Sequence, residues 1–154
     1  MLRAAHVACL ALWVFAAVAG QLLLWRARRG ADPERELHGR RRAQRLLAFE
    51  HAAFAALLAS GAWLMLERGF RVGQPHWFGV KLGLVAFLFL PLEAMHAYVG
   101  HVWIARGLSE TAAPPFSKDL ARGIGMDDMV RTLALLLLGV AVPLVVWLSV
   151  RRPF

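Results

Sequence analysis

Histidine, glutamate and lysine residues interrupt several long apolar runs of this sequence, and their chemistry depends on where those runs lie. An ionised side chain at the centre of a membrane helix costs about 2.5–3.5 kcal/mol on insertion scales, so each one needs water, a partner or a function. When the apolar runs are treated as membrane-spanning helices, these residues fall into two layers by depth. The outer layer comprises His6 and Lys81, and the inner layer comprises Glu50, His51, Glu93, His96 and His101.

The outer layer combines an imidazole and an ammonium group, each about one turn into an apolar run. His6 is either an interfacial histidine bonded to water or a metal ligand or proton relay. Lys81 either extends its ammonium group to the interface or holds an anionic group such as a porphyrin propionate. Trp13 and Gly20 follow His6 at intervals of seven residues, which places all three on one stripe of a helix that faces the bundle.

The inner layer brings carboxylates and imidazoles to the same depth. Glu93 and His96 are one turn apart, which is typical of a proton path or a ligand set. The alternative is that Glu93 is a buried carboxylate paired with His51 or Arg131. Glu50 and His51 lie close to a basic segment, where a solvated helix end explains them as well as any chemistry does.

Helical geometry limits which of these side chains can point inward together. Lys81 and His96 are fifteen residues apart, or about 60° around a helix, so both can face the interior. His96 and His101 differ by about 140°, and we do not expect both to face it. Lys81, Glu93 and His96 are the candidates for catalytic roles, and His6 and His96 are the candidates for metal ligation.

Two kinds of metal chemistry are compatible with these donors. Imidazoles on facing helices of a four-helix bundle can hold a b-type haem, whereas the c-type attachment pattern is absent from the sequence. Copper is the alternative, because thiol and thioether donors suit Cu(I), although helical methionines more often fill gaps in a core. The soft donors are Cys9, Met95, Met126 and Met129.

The composition is that of a membrane protein. The 154 residues are enough for a single domain, and 59% of them are hydrophobic, with a mean hydropathy of +0.53. Soluble domains average roughly 45–50% apolar residues. The net charge is +8, and the basic residues that produce it lie in segments between the apolar runs rather than on a soluble face. We therefore expect the lipid bilayer, and no nucleic acid, as a partner. Cys9 is the only cysteine, which excludes a disulfide within one chain.

These features predict an all-α fold, an integral membrane four-helix bundle in a single domain. Each apolar run can cross a hydrocarbon core of about 30 Å at about 1.5 Å per residue. Pro91 is expected to kink the third helix, and Asp127 or Asp128 to cap the fourth. The predicted helices cover residues 2–25, 46–66, 76–105 and 128–150, and residues 26–45 are predicted to form a basic cytoplasmic loop.

Basic residues set the predicted orientation. Residues 26–45 hold eight arginines and the loop after the third helix adds three basic residues, against five on the opposite side. By the positive-inside rule, both termini lie on the outer side. Residues 3–20 also imitate a secretory signal, but more positive charge follows this segment than precedes it, so a retained first helix is expected.

Short motifs in three of the helices point to a known family. The third run contains Trp77-Phe78-Gly79-Val80-Lys81-Leu82-Gly83-Leu84-Val85, followed by His96 and Tyr98; the first contains His6 with Trp13, and the second contains Gly61-Ala62-Trp63-Leu64. This combination resembles the small HemJ-type protoporphyrinogen oxidases and the related copper-resistance D (CopD-like) membrane proteins. The chain departs from the family at Gln21-Leu22-Leu23-Leu24-Trp25-Arg26, where a Leu-Pro-Arg stretch is expected.

The resemblance implies a haem-b-binding oxidoreductase of the bacterial inner (cytoplasmic) membrane. Such an enzyme oxidises a tetrapyrrole substrate and passes electrons to an acceptor such as quinone. His6 would ligate the iron with Trp13 beside it, and Lys81 would neutralise a propionate or a substrate carboxylate. Glu93 and His96 would then move protons. One alternative is a CopD-like copper-handling or transport protein. Another is a non-catalytic assembly subunit whose alanine-rich second helix is the contact surface. The chain could also form a homo-oligomer.

Overall fold

The computed structural model describes residues 1–29, 32–67 and 76–151, without the side chains of residues 76, 77 and 151. Every regular element in these ranges is helical, and four helices are long and apolar enough to cross a membrane. The all-α prediction is confirmed, and the four helices fit an integral membrane protein. Arg68, Arg71 and Arg152, which enter the predicted charge count on the outer side, lie outside the described residues.

Helices α1 (Leu2–Arg28) and α2 (Pro33–Glu67) pack against each other along their length. Helix α2 begins well before the predicted residue 46, so the prediction of a loop over residues 26–45 is wrong for its larger part. Pro33 stands at the first helical position, and the Asp32 carboxylate accepts the backbone N–H of Glu34 at 3.0 Å. This N-terminal signal starts the helix ahead of the apolar run.

Ion pairs join three helices at the end of the bundle opposite both termini, which is called the inner end below. Arg40 is only 2% exposed and donates to Glu36 Oε1 from Nε at 2.9 Å and from a terminal nitrogen at 2.8 Å. Its guanidinium also lies 3.5 Å from Asp128, which pairs with Arg28 as well. Arg40 of the basic segment is therefore part of the helix packing, because a buried guanidinium without a partner is costly.

Helix α3 runs without a break through residues 76–110, past the predicted end at 105. Pro91 has no N–H and its ring would clash with the carbonyl group of Phe87 in a regular α-helix. A wider π-helical turn, Val85–Phe89, precedes the proline and removes that constraint. A second π-helical turn is Val99–Ile104, and the α-helical segments are His76–Leu84, Leu90–Tyr98 and Ala105–Glu110.

Helix α4 spans Lys118–Arg151 and begins ten residues before the predicted start at 128. Ser117 caps it, because the Ser117 hydroxyl oxygen accepts the backbone N–H of Leu120 at 3.2 Å. The prediction that Asp127 or Asp128 caps this helix is therefore wrong. Both aspartates lie within the helix, which frees their side chains to face the other helices.

The apolar core has two parts along the bundle. In the first, the Trp13 ring is 2% exposed and packs against Phe54 at 5.0 Å and Phe89 at 5.8 Å between ring centroids. The second lies at the inner end and consists of Leu37, Val99, Ile104, Leu108 and Leu120. Aromatic contacts of three helices therefore fix the middle of the bundle.

Large apolar side chains cover the outside of the bundle. Phe15, Phe87 and Val140 are more than two-thirds exposed, as expected of side chains that face lipid. The alanine-rich run of α2 also faces outward for the most part, with Ala52, Ala55, Ala56 and Ala59 exposed. Helices α1 and α2 approach each other closely at a glycine instead: a Cβ atom on Gly39 would collide with Ala27.

Gly39→Ala is expected to lower the free energy of unfolding by about 1–3 kcal/mol, because the added methyl group meets the side chain and backbone of Ala27, which cannot rotate away. Gly125→Ala is the matched control, since open space surrounds that position in α4. Thermal unfolding in detergent micelles measures both. Equal midpoints for the two variants would mean that α1 and α2 do not meet at Gly39.

Candidate functional site

Glu93 is the centre of the inner layer, and groups from two other helices donate to it. Its Oε1 atom accepts the indole N–H of Trp13 at 3.2 Å and lies 2.9 Å from His51 Nδ1. Of the alternatives that the sequence leaves open, Glu93 therefore pairs with His51. The contact with Trp13 connects the inner layer to the aromatic core.

His96 lies between two carboxylates and makes a hydrogen bond to neither. The ring is 4% exposed, and its Nδ1 and Nε2 atoms lie 3.6 Å from Glu50 Oε1 and 3.7 Å from Asp127 Oδ1. Hydrogen bonds between these atom types are about 2.7–3.2 Å long. Asp127 Oδ2 instead accepts the Arg131 Nε hydrogen at 2.9 Å, one turn along α4.

Several polar atoms of this layer are buried without a hydrogen-bond partner in the part of the chain that the structure describes. Such atoms are rare in proteins, because each costs about 1–3 kcal/mol in lost solvation. Their concentration at one depth therefore calls for a ligand or water. The atoms are Gln21 Oε1, Glu50 Oε2, His51 Nε2, His96 Nε2 and Asp127 Oδ1.

A small cavity adjoins this layer at the centre of the bundle. All four helices line it, and Glu50, Glu93, His96 and Arg131 supply its polar groups. Its volume is about 20 Å³, which is room for about one water molecule and is far too small for a porphyrin. A haem therefore cannot occupy the middle of this bundle as it stands.

Three of these residues form a candidate metal group. His51, Glu93 and His96 each offer a ligand atom, and these atoms lie within 4.8 Å of one another. The predicted catalytic residues Glu93 and His96 thus lie together, and His51 is the third member of the group. Asp127 was not among the predicted site residues, because its position favoured a helix cap. Its spacing of four residues from Arg131 is the signal that could have placed it on an inward face.

His101 lies apart from the buried layer, as the angle around α3 predicts. It is exposed, and its ring lies in a tilted arrangement beside that of His51, with 5.1 Å between the ring centroids. It lines an open groove at the inner end of the bundle together with Arg41, Gln44 and Arg45.

In the outer layer, α2 orients the His6 ring. His6 Nδ1 lies 2.9 Å from the Ser60 hydroxyl oxygen, and that hydroxyl donates to the Leu57 carbonyl group at 3.0 Å. Since the hydroxyl hydrogen is used, a neutral His6 ring donates from Nδ1, and the lone pair lies on Nε2. Gly61 leaves space for the ring, because a Cβ atom there would lie 3.1 Å from His6 Cε1.

Lys81 reaches the outer layer from α3. Its Nζ atom donates to the Ser149 hydroxyl group at 3.1 Å, and its charge acts on the His6 ring. The structure thus brings His6 and Lys81 into electrostatic reach of each other. Trp13, the third predicted cofactor residue, lies deeper and belongs to the aromatic core and the inner layer.

The soft donors proposed for copper do not join this group. The candidate metal group contains imidazole and carboxylate donors only. Met126 packs against the apolar core at the inner end, as a core-filling methionine does, and Met129 is 58% exposed. This arrangement offers no compact Cu(I) site among those methionines.

Comparison of the chain with protein-family models, with curated proteins and with solved structures finds no match. The resemblance to the HemJ-type and CopD-like families therefore depends on the motifs in the sequence alone.

Arg131→Met is expected to lower the free energy of unfolding by about 3–5 kcal/mol, because it leaves the buried Asp127 carboxylate without its guanidinium partner. Arg106→Met is the control: it breaks the exposed Arg106–Glu110 pair, and we expect a loss of about 0–1 kcal/mol. Denaturant titration in mixed micelles compares the two. The double variant Arg131→Met with Asp127→Asn should recover part of the loss, and losses of equal size in the two single variants would contradict the burial of this pair.

Proposed function

We propose that this chain is a haem-b-binding membrane oxidoreductase of the HemJ type, acting on a tetrapyrrole at the outer layer. The observation that carries the proposal is the orientation of His6 by Ser60 and Leu57. A histidine that ligates a metal usually donates its other ring N–H to a protein oxygen, which fixes the ring and presents the free lone pair to the metal. His6 has this arrangement, with Nε2 as the available atom.

Lys81 supplies the charge that a tetrapyrrole requires. Porphyrins and their reduced precursors carry propionate groups, and a lysine ammonium within a membrane helix can neutralise one of them. Lys81 has Ser149 as its hydrogen-bond partner and acts on His6, so a propionate near His6 would be within its field. The ammonium group would thereby fix the direction in which the macrocycle lies.

The macrocycle would lie at the outer end of the bundle. The central cavity is too small for it. Glu93 accepts the Trp13 N–H and so lies deeper than His6 by about 10 Å, taken from the seven residues between His6 and Trp13 at about 1.5 Å per residue, and His96 lies about one turn deeper still. Neither residue would touch a tetrapyrrole bound by His6. His6 would contact the haem as its iron ligand, and Lys81 would contact a propionate of the haem or of the substrate. Glu93 and His96 would move protons only through a relay.

Haem b would supply a one-electron redox centre, and the chain would supply the binding site that holds and orients it. Each two-electron, two-proton oxidation of the tetrapyrrole would reduce one quinone to its quinol. The apolar outer faces of α1 and α3 would give a lipid-soluble quinone access from the bilayer. The proposed enzyme would lie in a bacterial cytoplasmic membrane, and the distribution of basic residues favours both termini on the outer side.

The orientation is tested by fusing reporters to the C-terminus and to residue 113, between α3 and α4. We expect alkaline phosphatase to be active at the C-terminus and inactive at residue 113, and green fluorescent protein to show the reverse, because the basic segments stay in the cytoplasm. Fluorescence from the C-terminal fusion would contradict the proposed orientation.

Purified protein is expected to show a Soret band, and His6→Ala is expected to reduce the bound haem at least tenfold because the ring that would ligate iron is lost. His38→Ala is the matched control, since His38 is exposed on α2. The pyridine haemochromogen assay measures haem per chain. The proposal is wrong if the wild-type chain shows no Soret band after haem supplementation, or if His6→Ala keeps its haem.

A further inference from the structure

We propose that the inner layer binds one divalent transition-metal ion between His51, Glu93 and His96. This site is separate from the haem of the proposed function and does not depend on it. Two helices supply the ligands, His51 from α2 and the other two from α3, where they are one turn apart.

The donor geometry is close to what a metal ion needs. One ligand atom from each residue already lies within 4.8 Å of the others, and small rotations of the side chains would bring all three to about 2.0–2.2 Å from a common centre. Nε2 of His51 and Nε2 of His96 are both buried without a hydrogen-bond partner. His96 is 4% exposed, so its unpaired nitrogen has no access to bulk water.

Charge is the second, independent observation. The layer and its immediate neighbours contain three carboxylates, Glu50, Glu93 and Asp127, and one guanidinium, Arg131. With neutral imidazoles, two negative charges remain uncompensated inside a membrane-spanning bundle, and such charges are strongly unfavourable. One divalent cation balances them.

The surrounding groups fit the needs of such an ion. Glu50 lies 3.6 Å from Nδ1 of His96 and Asp127 lies 3.7 Å from Nε2, so the carboxylate beside the nitrogen that does not bind the ion would accept its N–H and orient the ring, as carboxylates do for metal-ligating histidines. The Trp13 indole holds Glu93 in place. The adjoining cavity has room for one water molecule, which would complete a four-coordinate site.

The donor types select the class of ion. Two imidazoles and one carboxylate suit Zn²⁺, Fe²⁺ or Co²⁺, and the absence of sulfur from the group disfavours Cu(I). The competing account is that two bound protons, rather than a metal, balance the charge. That account predicts an inner layer that takes up no metal.

The test uses the full chain, purified in detergent without a histidine tag, stripped with a chelator and then loaded with Zn²⁺ or Co²⁺. We expect about one Zn²⁺ per chain by mass spectrometry and visible Co²⁺ bands of a four-coordinate site with nitrogen and oxygen ligands. His51→Gln and Glu93→Gln should each weaken binding at least tenfold. His38→Gln, the exposed control on the same helix as His51, should bind as the wild type does.

Thermal unfolding separates a lost site from a lost fold. Added Zn²⁺ should raise the unfolding midpoint of the wild type and of His38→Gln but not that of His51→Gln, whose helical circular dichroism should stay unchanged. No Zn²⁺ and no Co²⁺ bands in the wild type would overturn the site and favour protons, and so would equal binding by His51→Gln. Haem content is measured on the same samples, so a failure of the metal site and a failure of the haem proposal are distinguished.

Discussion

Charges placed among membrane-spanning helices must be neutralised by the protein, because the hydrocarbon around the bundle offers neither water nor counterions. The inner layer meets this constraint only in part, with side chains from every helix: Trp13 of α1 donates to Glu93 of α3, His51 of α2 lies beside the same carboxylate, and Arg131 of α4 pairs with Asp127. The helices can satisfy these groups only when they lie in one arrangement. The polar layer thereby makes the packing of an otherwise apolar bundle specific.

The aromatic core separates the two layers. Trp13, Phe54 and Phe89 lie along their helices between His6 or Lys81 on one side and Glu50 or Glu93 on the other. Trp13 contributes to both parts, since its ring packs in the core while its N–H donates to Glu93. A reaction at the outer layer and an ion at the inner layer can therefore coexist, with the bulky rings keeping their groups from direct contact.

The sequence predicted the four spans because lipid-facing helices are apolar nearly all around, which hydropathy detects directly. It failed at the starts of α2 and α4, where charged turns extend the helix beyond the apolar run and only the caps Asp32 and Ser117 mark the true start. The depth of Glu93 and His96 followed from counting residues. The contacts of these residues could not be predicted in the same way. Glu93 meets His51, and Asp127 lies beside His96, only for particular rotations of the helices about their axes, and an apolar helix surface does not reveal that rotation.

The carboxylates of the inner layer carry more negative charge than Arg131 balances, and the proposed metal ion supplies the missing positive charge. Anomalous diffraction at the zinc edge, from crystals of the zinc-loaded chain, tests it most directly. We expect one strong peak about 2.0–2.2 Å from a nitrogen of His51, a nitrogen of His96 and an oxygen of Glu93. A map with no peak in this layer, or with zinc bound only at the exposed His38 or His101, would contradict it.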